Sequence, residues 1–287
     1  MLTLIGCDFT SRPTPQKPIT LAIATTSFKK KSAPKELDTI EIQSIHGFDN
    51  FVDFQRILGS SDELLKAPWI GGFDLPFGLP RDLVRALGWP LQWEQCLKLF
   101  CTLERARIRD LFKGFCDQRP LGFKFAHRAT DYVANSSPSM KWVNPPVAFM
   151  LHAGIPLLIG ADLTLPGVRT GDPSRIGLEA YPGMLAREMI GNQSYKSDDK
   201  HKQNDERHLA RQNILDALQA GTNSLGVKVK AHKNLLDQMV QDASGDSLDA
   251  VLCATQAAWG AKQFHLGDPL YGLASDMDPL EGWILTC

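Results

Sequence analysis

An excess of charge of either sign is missing from this chain. Its 31 Lys and Arg offset 32 Asp and Glu to a net charge of −1. No global basic field therefore marks it as a nucleic-acid binder, although a local basic face is still allowed. Low-complexity tracts and internal repeats are also missing. With 43% hydrophobic and 22% charged residues, the balance is that of an ordinary globular protein of one or two domains. No apolar run suffices for a bilayer: Val147 to Leu163 is interrupted by His152, Pro156 and Asp162. The start, MLTLIGCDF, has no basic region and is broken by Asp8, so a signal peptide is not expected. Cysteines at 7, 96, 101, 116, 253 and 287 fit neither a disulfide framework nor a paired CxxC zinc site. A reduced, cytoplasmic protein with no membrane partner is the expectation. HExxH, GxSxG and Walker motifs are all lacking, which disfavours zinc-hydrolase, serine-hydrolase and P-loop chemistry.

What is present is an α/β pattern. Residues 2–9 alternate, with Ile5, Cys7 and Phe9 on one face and Leu4, Gly6 and Asp8 on the other. Strands are also expected at Pro18–Ser27 and Leu37–Ile45, with a basic turn at Lys29–Lys31 between them, giving an antiparallel meander. Helical spacing runs from Phe51 to Leu65, and Trp69–Phe73 is a short strand closed by Asp74. Helices are expected at about 81–88 and 93–113, and one or two near 147–161, after a Pro-, Asn- and Ser-rich stretch at 136–146. Arg175–Tyr181 returns to strand character. Helices at about 183–190, 205–220, 233–242 and Asp246 to Ala261 complete the chain. Residues 1–80 and 173–287 then read as a core with a mixed five-stranded sheet, and 81–172 as a helical insertion packed on it.

Five acids stand where elements start or stop: Asp8, Asp74, Glu179, Asp246 and Asp249. Hard divalent cations need oxygen ligands of this kind, and two such ions can promote phosphodiester cleavage. Each acid also has a plainer reading. Asp8 and Asp74 could satisfy turn amides, and Glu179 could pair with Arg175 or Arg187. Asp246 could be an N-cap with Asp249 at N3. A basic cluster with interleaved phenylalanines, including Arg105, Arg109 and Arg128, reads either as a phosphate-contacting face with stacking platforms or as a solvated helix face over a Phe-lined core. Lys196 belongs to a smaller mixed-charge group.

The stretches IGCDFTSRP, GGFDLPFGLP, LEAYPGMLAR, SYKSDD, GDSLDAVLCATQAAW and DPLEGWI, with RATDY and WVNPP between them, resemble the motif set of the family called domain of unknown function 429. Members are regarded as predicted nucleases of the ribonuclease H-like superfamily. DSLDA is also similar to the final-helix pattern of RuvC-type resolvases. The resemblance implies a ribonuclease H-like fold and a Mg²⁺ or Mn²⁺ site with Asp8, Asp74, Asp246 and Asp249 as ligands. Glu179 matches a family motif without an assigned role. The implied activity is nucleic-acid hydrolysis, with Arg105, Arg109, Arg128 and Lys196 as substrate-binding candidates. The alternatives are a nucleotide-dependent phosphotransferase or phosphatase on the same fold, and a non-catalytic interaction module.

Overall fold

The computed structural model describes residues 1–26, 38–59 and 63–287; the basic turn expected at Lys29–Lys31 lies outside them. The first three strands, β1 (Leu2–Asp8), β2 (Ile19–Thr26) and β3 (Asp38–Phe48), form the antiparallel meander that their alternation predicts. After α1 (Phe51–Leu58), β4 (Trp69–Asp74) lies parallel to β1, in a register that runs from Thr3 opposite Trp69 to Asp8 opposite Asp74. Five helices follow: α2 (Arg81–Ala86), α3 (Trp93–Thr102), α4 (Arg105–Asp117), α5 (Ala129–Ala134) and α6 (Val147–Gly160). The two-residue β5 (Leu163–Thr164) then leads to β6 (Asp172–Glu179), which runs parallel to β4. The chain ends with α7 (Pro182–Ile190), α8 (Asp205–Ala220), β7 (Val227–Ala231), α9 (Lys233–Gln241) and α10 (Asp246–His265).

The sheet has seven strands in the order β5-β6-β4-β1-β2-β3-β7, not the five expected. Both extra strands are edges. β5 is too short for a period-two signal, and β7 reads VKVKA, whose lysines disguise a strand that buries only Val227 and Val229 well. Other boundaries also differ. The helix expected at Phe51–Leu65 stops at Leu58 before Gly59, and the helix expected at 93–113 breaks at Leu103 and Glu104 into α3 and α4. The five strands in the middle of the sheet are the five expected, with β1–β3 as the antiparallel meander and β4 and β6 added in parallel.

Strand parity divides the molecule into three layers. Ile5, Cys7, Ile19, Leu21, Ile23 and Phe73 enter one hydrophobic cluster with side chains of α1, α2, α3, α4 and α6. Leu4, Ala22, Ala24, Ile70, Ile176 and Leu178 enter a second cluster with α7–α10. Residues 81–172 therefore help build the core on one face, while β5 joins the sheet. On the other face α10 is the central helix, buried on nearly all sides and rich in alanine. Its close approach requires glycine beneath it: a Cβ on Gly6 would lie 1.9 Å from the Ala250 oxygen, and one on Gly72 would lie 2.4 Å from that of Cys253. This contact sets the first turn of α10 over the ends of β1 and β4. Among the described residues no helix is long and apolar enough to cross a membrane.

Candidate carboxylate site

Asp8 and Asp74 end adjacent parallel strands in register, so their side chains leave the sheet on the same face, the α10 face. Across from them stand Asp246 and Asp249 in the first turn of α10. Asp246 is not the N-cap: that position is Gly245, at φ 80°, in the left-handed region that glycine enters without strain. The missing cap is supplied from outside the helix by Asp242, whose carboxylate accepts from the Ser247 amide (2.8 Å) and from the amide and hydroxyl of Ser244. Gly245 has a second duty. A Cβ there would lie 2.7 Å from Cβ of Lys196 and 3.0 Å from its Cδ, so the bare backbone leaves the lane along which the lysine stem runs.

That lane leads Lys196 into the acids. Its ammonium forms a close ion pair with Oδ2 of Asp249, which is fully buried. Oδ1 of Asp249 accepts from the Tyr195 hydroxyl at 2.5 Å. Asp246 is engaged in parallel: Lys17 Nζ lies 2.8 Å from its Oδ1 and 2.7 Å from Oδ1 of the exposed Asp198. Burial alone would depress both lysine pKa values, but the facing carboxylates outweigh it and hold both above the ordinary ammonium range.

Asp8 and Asp74 fare differently. Among the described residues no group donates a hydrogen bond to either or forms an ion pair with it. Burial pushes the Asp8 carboxyl well above its ordinary range, and Asp249, Asp246 and Asp74 add to this against the attraction of Lys196. Asp74 is raised to about 7, chiefly by burial, with Asp249 and Glu179 adding and Lys196 again opposing. The α10 pair thus has resident cations, and the strand pair is short of positive charge.

Glu179 does not join this group. Its register partner is Phe73, one residue before Asp74, so the pleat sends it to the opposite face. There Arg128, only 2% exposed, grips it bidentately at 2.6 and 2.8 Å, and the Phe77 amide donates to its Oε2 at 2.8 Å. The remaining guanidinium donors go to Asp131 and the Glu281 carbonyl, so all five N–H groups are spent. Arg128, a substrate-binding candidate, has its donors committed to this clamp, and with Glu179 it lines the cavity that also borders Asp74 and Lys196.

The rest of the basic cluster divides between exposed and buried members, with Arg109 and Phe123 exposed. Phe112 and Phe115 are buried under α4 as core, not as stacking platforms. Arg105 and Arg109 both lie over the Phe149 ring, at 5.0 and 5.4 Å, and Arg105 also donates to the Ser11 carbonyl at 2.6 Å. Lys196, a substrate-binding candidate in a mixed-charge group, lies in an exposed loop with 41% of its side chain accessible and reaches Asp249 from there. The residues that sequence reasoning missed are Lys17, Tyr195, Asp198 and Asp242. Tyr195 and Asp198 fall inside SYKSDD, whose composition alone signals only a polar loop.

Asp74 and Lys196 also line a cavity of about 420 Å³, whose wall includes Met150, Ser137, Tyr181 and Arg187. The Arg187 guanidinium lies 5.2 Å from the Tyr181 ring centre and donates to the Ala134 carbonyl at 2.6 Å. A group of this size is within the range of small-molecule sites.

As the side chains stand, no three carboxylates, imidazoles or thiols among the described residues are arranged to hold a metal ion. The reason is visible at Asp249, which spends both oxygens on Tyr195 and Lys196. The donor chemistry still fits a hard cation, because Mg²⁺ is commonly held by only one or two carboxylates together with waters. Asp8 and Asp74 are such a pair: their side chains leave adjacent strands in register on one face, and neither has a hydrogen-bond donor among the described residues. Comparisons with family models, curated proteins and solved structures gave no match to this chain.

Proposed function

We propose that this chain is a metal-dependent phosphodiesterase acting on nucleic acid, on a sheet of the ribonuclease H-like kind, with Mg²⁺ or Mn²⁺ held by Asp8 and Asp74. The observation that carries the reading is the pair itself: two in-register carboxylates, Asp8 buried and Asp74 half-buried, without a hydrogen-bond donor and facing two further acids on α10. The order β3-β2-β1-β4-β6, with β2 antiparallel to its neighbours, supports the fold assignment, as does the motif resemblance. A divalent ion at this place supplies Lewis acidity toward a phosphoryl oxygen.

The chain's own residues do the rest. Asp8 and Asp74 bring charge and oxygen ligands on a rigid sheet. Lys196 contributes a fixed positive charge beside them, held by Asp249 and Tyr195. Lys17 does the same for Asp246, and Gly245 keeps the lysine lane open. A negatively charged phosphodiester then meets ammonium groups as well as the ion, which favours its approach to an otherwise acidic cleft.

The cavity beside Asp74 favours a second reading, hydrolysis or transfer of phosphate on a single small nucleotide. Its 420 Å³ suits one nucleotide rather than a duplex. The test is incubation of purified protein with labelled single-stranded, duplex and branched DNA, with RNA and with nucleoside triphosphates, in Mg²⁺, Mn²⁺ or chelator. Metal-dependent chain cleavage that is lost in Asp8→Asn and Asp74→Asn is the expected result. Nucleotide hydrolysis without chain cleavage, lost in the same variants, hands the site to the second reading; inertness toward every substrate sinks both.

A further inference from the structure

We infer that the centre takes one divalent ion, and that the Lys196 ammonium is a resident cation that would supply, on Asp249, the positive charge a second ion would bring. The inference rests on the metal reading above and goes beyond it, since the motif resemblance implies all four aspartates as ligands.

Two divalent ions about 4 Å apart need carboxylates that bridge them and others that hold each from its far side. Here the four acids divide by element. Both α10 acids are already matched to ammonium groups, Asp249 to Lys196 and Asp246 to Lys17. Asp249 has both oxygens engaged and Asp246 one, so only the strand acids have both oxygens open to a metal, and two carboxylates are enough for a single Mg²⁺ or Mn²⁺ that keeps waters in its remaining positions. Charge leads to the same count. Four carboxylates against two ammonium groups leave a deficit that one divalent ion closes, and a second would leave the half-buried cleft with excess positive charge. Asp198, which shares Lys17, is 72% exposed on its side chain and is compensated by water.

Lys196 is also built in rather than drawn in by chance. Gly245 leaves no Cβ where the stem passes, and its backbone conformation is one that favours glycine. Tyr195 takes the other oxygen of Asp249, so both oxygens of that carboxylate already have partners within the chain. The same ammonium attracts Asp8, Asp74 and Asp246 as well, so its charge acts on all four acids while its one ion pair is with Asp249.

Stoichiometry tests this without reference to activity. The full chain would be titrated with Mn²⁺ by calorimetry, and free and bound Mn²⁺ followed by electron paramagnetic resonance. Wild type is expected to bind one ion per chain, with no spin coupling between neighbouring ions. Lys196→Met, which frees Asp249 and removes the resident charge, is expected to bind two, with a coupled spectrum; Lys196→Arg is expected to stay at one. Two ions in wild type, or one in Lys196→Met as in wild type, would overturn the inference while leaving the metal reading intact. No binding to wild type would overturn both. Should Lys196→Met fail to fold by circular dichroism, Asp249→Asn decides: one ion is expected to remain, and loss of binding would make Asp249 a ligand and defeat the proposal.

Discussion

Two acid clusters lie back to back across the ends of β4 and β6, and they are solved in opposite ways. On the far face Glu179 meets Arg128, Asp131 and the Phe77 amide, with each guanidinium N–H directed at an oxygen. On the α10 face Asp8 is nearly as deeply set and Asp74 is half-buried, yet neither accepts a hydrogen bond from the described residues. A buried charge whose partners are complete holds a fold together. A buried charge whose partners are incomplete stores a demand that something else must meet. Burial alone does not distinguish them, and neither does residue type.

The sharpest way to break this contrast is to remove the far-face cation. Arg128→Met leaves Glu179 and Asp131 buried without their counter-charge and removes the guanidinium bond to the Glu281 carbonyl. A loss of about 3–5 kcal/mol is expected, read by urea denaturation. A loss below about 1 kcal/mol would mean that the far cluster is no more structural than the near one.

On the α10 face the same kind of deletion should do the reverse. Asp8→Asn removes one of several repelling carboxylates, so in chelator the variant should melt at or above the wild-type temperature. With metal at a hundredfold excess over its dissociation constant, wild type should gain about 2.7 kcal/mol of stability through linkage. Asp8→Asn should gain little of it. Equal metal-induced shifts in thermal melts of the two proteins would remove Asp8 from the site.

How far the sequence shows these two clusters depends on which step is needed. The meander, α1 and β4 are legible because alternation and turn residues mark them locally, and so Asp8 and Asp74 can be placed at strand ends. Glu179 is found as a strand-end acid too, but its face follows from its pairing with Phe73, and pairing register is a tertiary fact. The five-donor role of Arg128 is hidden for the same reason, since its partners lie 51 and 153 residues away in sequence. Lys196 is visible only as a charge in a polar loop. That it enters the site follows from Gly245, and from a helix drawn onto the sheet by Gly6 and Gly72. Its acidic partner Asp249 looks like a favourable first-turn residue whether or not it has a role.

The smallest effect separates capping from site chemistry within α10 itself. SGDSLD reads as a helix start with Asp246 as cap, whereas the cap hydrogen bonds go to Asp242. Burial would raise the Asp242 pKa, but the hydrogen bonds from Ser244 and Ser247 outweigh it and hold it below the ordinary value of 3.8. A group whose folded pKa is depressed stabilises the fold above its unfolded value, and the contribution disappears as pH falls through the folded one. Asp242→Ala should therefore cost about 1 kcal/mol at neutral pH, and the difference from wild type should close in strong acid, below pH 3.8. Asp246→Ala loses no cap and frees Lys17 to the exposed Asp198, so its cost should be smaller than that of Asp242→Ala. Paired denaturation curves at neutral and acid pH give the comparison. If Asp246→Ala proves the costlier substitution at neutral pH, then its bond to Lys17 holds the helix in place, and the α10 face is less unlike the far face than its electrostatics imply.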